Sequence, residues 1–193
     1  MKYVLMAIGI ASVIAVGNPA YGQKHGNTEM MEGQCPMCGG PWSTPRSWNG
    51  EVPATLPRPK NPAWVTKLQG VLAIEKHSQS QYEADESKYR VMMPYRMIIP
   101  QEKKHIQWIQ GIFQAYGLPS DGKKPPIKPS SSVEQAYQIG QALEADLIPR
   151  YVWLIRNAED EKTRQVLDTI LLQSRMHHAM FTHALEMGMG MGR

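Results

Sequence analysis

The sequence predicts an all-α protein, an antiparallel bundle of four helices with a long connection between the second and third helices. Three observations support this prediction. From about residue 63 onward, apolar residues recur with the helical period of 3.6 residues in four separate segments. Short turns join the first segment to the second and the third to the fourth. A Pro- and Ser-rich stretch, 118–132, separates the two pairs. Short connections make helices antiparallel neighbours, so each pair should form a hairpin.

The first 22 residues have the pattern of a secretory signal peptide. Lys2 is followed by an apolar run from Tyr3 to Val16, and then by small and turn-forming residues up to Gly22. The run is shorter than the roughly 20 residues that a membrane-spanning helix needs, and no second run of that length follows. We therefore expect cleavage near Gly22 and a periplasmic or secreted protein that does not span the membrane afterwards.

Residues 23–62 predict a flexible arm that precedes the helices. Prolines recur from Pro36 to Pro62 so closely that no helix can run through the segment. The arm also contains both cysteines of the chain, Cys35 and Cys38, in the sequence CPMCGG. An exported protein can join them in a local disulfide. Capture of a soft metal and a thiol redox role stay open, although two thiols alone cannot complete a four-ligand zinc site.

The first hairpin is predicted to contain helices over about 63–90 and 95–116. The apolar stripe of its first helix includes Trp64, Leu68 and Leu72. Gly117 should end the second helix. Pro100 lies inside that helix, where the missing amide should bend it just before Glu102.

The second hairpin is predicted to contain helices over about 133–158 and from about 163 to 187, joined by a charged turn at 160–162. Pro149 should kink the third helix. The bundle domain would thus span 63–187, followed by a Met- and Gly-containing tail, 188–193. The long stretch 118–132 can cross one end of the bundle.

Carboxylates, tyrosines and histidines recur in the same order in the two hairpins. On the first helix of each hairpin a Glu precedes a Tyr by seven residues, and a His lies on the second helix. The first hairpin contains Glu75, Tyr82, Glu102 and His105, and the second contains Glu144, Tyr151, Ser174 and His177. Spacings of three and seven place side chains on one helix face. Inward-facing Glu and Glu-x-x-His motifs are how four-helix bundles build a two-metal carboxylate site.

This repetition predicts a metal site with five protein ligands, namely Glu75, Glu102, His105, Glu144 and His177. Tyr82 and Tyr151 would be hydrogen-bond partners of the ligands or electron donors. Buried carboxylates are costly unless a cation or another partner compensates them. Alternatively, both isolated Glu residues are exposed and the tyrosines are ordinary core residues of a metal-free structural bundle.

Ser174 makes the predicted site asymmetric, because it stands where the second Glu-x-x-His motif would have its Glu. A single metal or an asymmetric pair then becomes plausible. Arg175 follows directly in the sequence, and we expect its charge to disfavour a second cation.

Four segments resemble the helices of ferritin-like proteins: IEKHSQSQY, IIPQEKKHIQWIQGIFQAYGLP, ALEADLIPRY and QSRMHHAMF. The resemblance covers about 63–185 and is greatest to an uncharacterised bacterial group of ferritin-like domains that are often exported. It implies a non-haem site for iron or manganese, with iron oxidation, peroxide reduction or oxygen activation among the activities. It also implies the same five ligands, and a Ser near position 174 as a variant within that group.

Soft ligands near both ends of the chain support a copper-binding alternative. The fourth helix and tail contain Met176, His177, His178, Met180, His183, Met187, Met189 and Met191, and the arm contains His25, Met30, Met31, Cys35, Met37 and Cys38. Thioethers and thiolates suit Cu(I), whereas carboxylates suit iron and manganese. His177, Met180 and Met187 fall on one helix face. Met is also a flexible core filler, so the same residues can be purely structural.

The charge of the chain gives little support to a nucleic-acid partner. The formal net charge of +4 falls to +3 without Lys2, and no basic stripe is interleaved with aromatic residues. The sequence therefore predicts an exported metal-binding protein whose partners are metal ions. Oxidoreductase activity and association into a homodimer stay open.

Overall fold

The computed structural model describes residues 30–34, 41–45, 51–121 and 123–189. Four helices make up most of these residues: α1 (Pro62–Tyr89), α2 (Tyr95–Ala115), α3 (Val133–Arg156) and α4 (Glu161–Glu186). Helix α1 packs on α2 and α3, and α4 packs on α3 and α2. The predicted four-helix bundle with a long connection between the second and third helices is confirmed. The predicted signal peptide lies outside the described residues.

Local sequence explains where the helices begin and end. Asn61 caps α1, since its side-chain oxygen accepts hydrogen bonds from the backbone of Ala63 and Trp64, and Pro62 occupies the first helical position. Asp160 caps α4 in the same way. Gly117, just beyond α2, has a φ of +63°, which explains why that helix stops there. Pro100 and Pro149 both lie inside their helices, and the bend predicted at each stays a prediction.

Two short strands precede the bundle, and the sequence did not predict them. Strands β1 (Met30–Gln34) and β2 (Pro41–Pro45) pair antiparallel, with Met30 opposite Pro45 and Gln34 opposite Pro41. The prolines of the arm exclude a helix, but a strand tolerates proline at its ends, which is where both prolines of β2 lie. Cys35 and Cys38 lie outside the described residues, so their pairing stays a prediction.

The long connection runs along the length of α1. The expectation that it crosses one end of the bundle is therefore wrong. The backbone N–H of Lys128 donates to Gln81 Oε1 (2.7 Å), and Gln81 Nε2 donates to the carbonyl of Lys128 (2.8 Å). Further along α1, Ser130 Oγ donates to Asp85 Oδ1 (2.5 Å). Because α2 ends beside the start of α1, while α3 starts beside its end, the chain must travel the length of the bundle.

The core consists of two apolar clusters separated by a polar layer. One cluster surrounds Trp64, Ile109, Leu154 and Ile170. The other, called the aromatic cluster below, contains Phe181 and three tyrosines together with aliphatic residues. Between them lie buried polar side chains from all four helices: Glu75, Ser78, Glu102, His105, Glu144, Ser174 and His177. Among the described residues, no helix is long and apolar enough to cross a membrane.

Candidate metal centre

Five residues of the polar layer are the predicted ligands, and all five side chains are completely buried. Glu75, Glu102, His105, Glu144 and His177 each have a relative exposure of 0%. Helix α1 supplies the first, α2 the next two, α3 the fourth and α4 the last. The alternative in which Glu75 and Glu144 are exposed surface residues is therefore wrong.

The ligand atoms form two overlapping groups that share Glu102. Glu75, Glu102 and His105 make up one group, and Glu102, Glu144 and His177 the other; within each group, one potential ligand atom per residue lies within 4.8 Å of the others. His105 Nδ1 is 3.4 Å from Glu75 Oε2. His177 Nδ1 is 2.9 Å from Glu102 Oε1 and 3.4 Å from Glu144 Oε1. The two imidazole rings stack with centroids 5.6 Å apart.

The two tyrosines form hydrogen bonds with carboxylates of the layer, but each does so across the bundle. Tyr82 on α1 donates to Glu144 Oε1 on α3 (2.9 Å). Tyr151 on α3 donates to Glu75 Oε1 on α1. Both phenols are buried. The predicted role of hydrogen-bond partner agrees with these contacts, although each Tyr contacts the Glu of the other helix.

Several buried atoms in this layer have no hydrogen-bond partner among the described residues. These atoms are Oε1 and Oε2 of Glu102, Oε2 of Glu144, Oγ of Ser78, Oγ of Ser174 and Nδ1 of His177. His177 Nδ1 and Glu102 Oε1 are close enough to bond, but their relative orientation does not give a hydrogen bond. Unsatisfied buried polar atoms are rare and need an explanation. Oxygen and imidazole nitrogen donors suit a divalent cation such as iron or manganese, so the residues fit such an ion.

Burial and neighbouring charges shift the pKa values of Glu75 and Glu102 in opposite directions. Burial raises the pKa of Glu102 well above its usual range, and the nearby charges of Glu75 and Glu144 raise it further. Burial also acts to raise the pKa of Glu75, but attraction to protonated His105 and hydrogen bonds from its neighbours outweigh burial and lower it. Conversely, burial acts to lower the pKa of His105, and Glu75 outweighs this and raises it. In the protein alone, Glu75 and His105 thus favour each other's charged forms, whereas the surroundings of Glu102 favour its neutral form.

Ser174 lies in the layer as predicted, whereas Arg175 does not. The Ser174 side chain is buried and its Oγ has no hydrogen-bond partner, so α4 offers a hydroxyl where α2 offers the Glu102 carboxylate. Arg175 is exposed, because consecutive helical residues point about 100° apart. Its side chain therefore lies outside the polar layer, and its effect on a second cation stays a prediction.

Two glutamines contact the histidines, and the sequence reasoning missed both. Gln101 Oε1 is 2.9 Å from His177 Nε2, and Gln173 Oε1 is 2.7 Å from His105 Nε2. A signal was present in the sequence, since a Gln directly precedes both Glu102 and Ser174. The repeated motif is Gln-Glu-x-x-His in α2 and Gln-Ser-x-x-His in α4.

The predicted copper-binding face occupies three different environments. His177 lies in the polar layer, Met180 is buried in the aromatic cluster, and Met187 is exposed. Met180 packs as a core residue there, which is the structural interpretation of this methionine. Met191 lies outside the described residues.

Comparison with known proteins shows similarity at the level of structure. No protein-family model matches the chain, and no curated protein matches it. The solved structure of bacterioferritin BfrA from Mycobacterium tuberculosis matches with a TM-score of 0.61 and 16% identity, over 67% of this chain and 87% of that one. A conserved hypothetical protein from the same organism matches with a TM-score of 0.54 and 17% identity, over 64% of this chain and 91% of that one. At these identities the likeness concerns the fold, and it shows that this chain is a ferritin-like four-helix bundle.

Proposed function

We propose that this protein binds iron(II), or the similar ion manganese(II), at the centre of the bundle. Glu75, Glu102 and Glu144 are the carboxylate ligands, and His105 and His177 are the imidazole ligands. The observation that carries the proposal is the pair of overlapping ligand groups that share the buried Glu102. Mixed carboxylate and imidazole donors favour iron and manganese over a soft ion such as Cu(I).

The same geometry supports an asymmetric pair of metal positions. Each position has three protein ligands, and Glu102 belongs to both. When one ion is bound, the second must share Glu102 with it and gains no carboxylate from Ser174. We therefore propose that the first ion binds more tightly than the second.

Bound iron would supply the redox chemistry for reaction with oxygen or peroxide, and an oxidoreductase activity forms the finer part of this proposal. The protein contributes a site shielded from bulk solvent, since every ligand side chain is fully buried between two apolar clusters. The buried tyrosines Tyr82 and Tyr151 hold two of the carboxylates in place.

Export is also part of the proposal, and it rests on the sequence of residues 1–22. Mass spectrometry of the protein from the envelope fraction of its native host measures the mature N-terminus. Cleavage near Gly22 supports export, whereas an intact Lys2 in the cytoplasmic fraction contradicts it.

Anaerobic titration with Fe(II) tests the metal site. The wild-type protein should bind Fe(II) in two phases, and Glu102→Ala should abolish both because it removes the shared ligand. Glu75→Ala and Glu144→Ala should each leave one phase. Asp146→Ala is a matched control, since Asp146 lies two residues from Glu144 on α3 but is exposed. The proposal fails if the wild-type protein retains no Fe(II), or if Glu102→Ala binds as the wild type does.

A further inference from the structure

Ser174 places a buried hydroxyl group where the repeat in the sequence leads one to expect a carboxylate. Its side chain has a relative exposure of 0%, and its Oγ has no hydrogen-bond partner among the described residues. Ser174 precedes His177 by three residues on α4, as Glu102 precedes His105 on α2. Because residues three apart share one helix face, the hydroxyl lies in the polar layer beside His177.

This position is adjacent to both ligand groups. His177 belongs to the group that contains Glu144, and its ring stacks on that of His105, which belongs to the other group, with centroids 5.6 Å apart. Glu102, which both groups share, also has two buried oxygens without a hydrogen-bond partner among the described residues. A molecule bound at Ser174 would therefore lie close to both proposed cation positions.

The charges of the polar layer are incomplete for two divalent cations. Metal binding requires ionised carboxylates and neutral imidazoles. Glu75, Glu102 and Glu144 then supply one negative charge fewer than two divalent ions need for neutrality. Bundles of this architecture that bind two metals have a carboxylate on each of their four helices. A net charge in a fully buried layer is costly unless a counter-ion compensates it.

We propose that the polar layer binds a small monovalent anion beside Ser174, together with the second cation. The anion is one with an O–C–O group, the chemistry that formate and bicarbonate share. The inference rests on the proposed metal function. The anion supplies the missing negative charge, and the Ser174 hydroxyl donates a hydrogen bond to one of its oxygens. Since Ser lacks the carboxyl end of a Glu side chain, the site suits an anion of about that size and excludes bulky ones.

Titration with Mn(II) at increasing formate concentration tests the inference. In the wild type the second binding phase should tighten with formate, by up to about tenfold for each tenfold increase when one anion binds with the ion. The first phase should change little. Bicarbonate in place of formate shows which of the two anions binds more tightly. Chloride at equal ionic strength and the bulky trimethylacetate should have no effect.

Variants at Ser174 separate the charge of the anion from its hydrogen bond. Ser174→Glu supplies the carboxylate from the protein, so the second phase should be tight without formate and independent of it. Ser174→Ala keeps the charge deficit and loses the hydrogen bond. It should need roughly tenfold more formate, or a larger excess, for the same effect. Ser87→Glu adds the same charge at an exposed position of α1 and should behave as the wild type does.

Infrared spectroscopy provides a readout that does not depend on affinity. In the wild-type protein loaded with Mn(II), replacing formate by ¹³C-formate should shift the carboxylate stretching bands of the bound anion. Ser174→Glu should show no such bands, because its own carboxylate occupies the position. Bands of equal intensity in Ser174→Glu would overturn the inference, since the anion would then bind elsewhere.

The outcomes distinguish this inference from the proposed function. If the wild type binds no Mn(II) at any formate concentration, the metal function fails and the inference fails with it. If two ions bind with affinities independent of formate and bicarbonate, the metal function stands and the inference is overturned. A second phase that then depends on pH more steeply in the wild type than in Ser174→Glu would assign the missing charge to hydroxide. If only one ion binds even in saturating formate, the first position stands and the anion site is overturned.

Discussion

Tyr82 on α1 donates a 2.9 Å hydrogen bond to Glu144 on α3, and Tyr151 on α3 returns one to Glu75 on α1. Two carboxylates of the polar layer are thus each held by a phenol from the neighbouring helix. Burial, reinforced by the charge of Glu144, raises the pKa of Tyr82 well above its usual range. The phenol therefore stays a neutral donor at any physiological pH.

Tyr82→Phe should weaken both stability and metal binding. The ring keeps its contact with Phe181, whose centroid lies 5.3 Å away, so the loss is confined to the hydroxyl. We expect the free energy of unfolding to fall by about 1 kcal/mol. We expect Fe(II) affinity to fall roughly tenfold, because Glu144 loses the donor that orients it. Urea denaturation and anaerobic Fe(II) titration measure the two effects.

Tyr137→Phe is the matched control for that prediction. Tyr137 packs in the same aromatic cluster, but its hydroxyl donates to the carbonyl of Met93 (2.9 Å), away from the carboxylates. It should lose about as much stability, about 1 kcal/mol, with unchanged Fe(II) affinity. Equal Fe(II) affinities for Tyr82→Phe and the wild type would contradict a role for Tyr82 at the site.

Glu102 should make metal binding and stability depend on pH in opposite directions. Its pKa is raised, chiefly by burial, so an incoming cation must displace a proton. Mn(II) affinity should therefore rise with pH, by up to about tenfold per pH unit for one proton released. In the metal-free protein the folded state holds that proton more tightly than the unfolded chain does. Stability should thus fall as pH rises from the ordinary carboxyl range through the raised pKa.

Glu102→Gln separates these two effects, because the amide keeps the shape of the side chain and cannot ionise. The metal-free variant should equal or exceed the wild type in stability at neutral and alkaline pH, and it should lose metal binding. Urea denaturation across pH measures the first effect, and Mn(II) titration measures the second. A wild-type Mn(II) affinity that is independent of pH would contradict the raised pKa of Glu102.

Sequence periodicity was sufficient to place the ligands at one level of the bundle. Glu75 and Glu102 lie on either side of a short turn, so a rise of about 1.5 Å per residue returns the second to the height of the first. The predicted helix bounds lie within two residues of the observed ones, and the capping residues Asn61 and Asp160 explain the starts of α1 and α4. These features depend on neighbours in sequence.

Contacts between hairpins could not be predicted in the same way. The positions of Tyr82 and Glu144 along the bundle axis do not reveal which Glu the phenol contacts. The choice of Glu depends on how α1 is rotated about its own axis relative to α3. The reciprocal contacts of Gln101 and Gln173 depend likewise on the rotation of α2 against α4. The path of the long connection escaped prediction because its anchors, Gln81 and Asp85, are polar residues on a helix and gave no pattern of their own.

Gly140→Ala should destabilise the bundle where α3 and α4 approach closely. A Cβ at this position would lie 2.5 Å from Cζ of Phe181, which is itself fully buried. We expect the free energy of unfolding to fall by about 1–3 kcal/mol. Gly70→Ala is the control, because an added Cβ there meets nothing within 4 Å. It should stabilise the protein by about 0.5–1 kcal/mol, since alanine favours a helix. If both substitutions stabilise equally, the close approach at Gly140 is incorrect.

Asp85→Ala should loosen the long connection from α1. Asp85 is buried and accepts hydrogen bonds from Ser130 Oγ (2.5 Å) and Gln81 Nε2 (2.9 Å). Its removal takes away the acceptor of the Ser130 hydroxyl and one of the two acceptors of the Gln81 amide, which still donates to the carbonyl of Lys128, at a cost of about 1–3 kcal/mol. The backbone amide of Lys128, which donates to Gln81, should then exchange its hydrogen faster. Asp121→Ala changes an exposed carboxylate within the connection and should leave this exchange rate unaltered. Unchanged exchange in Asp85→Ala would show that the connection is held by other contacts.

Replacing the methionines of the tail should not affect the metal centre. Met187 and Met189 are exposed, and Met187 lies ten residues beyond His177, about 15 Å along the helix. The triple variant Met187→Leu, Met189→Leu and Met191→Leu removes the thioethers without charge or large volume changes, and it should bind Fe(II) as the wild type does. A parallel Cu(I) titration tests the copper alternative, with Cys35→Ser and Cys38→Ser in a second variant. Tight Cu(I) binding that weakens in both variants, together with no wild-type Fe(II) binding, would favour copper, because only soft thioether and thiolate ligands were removed.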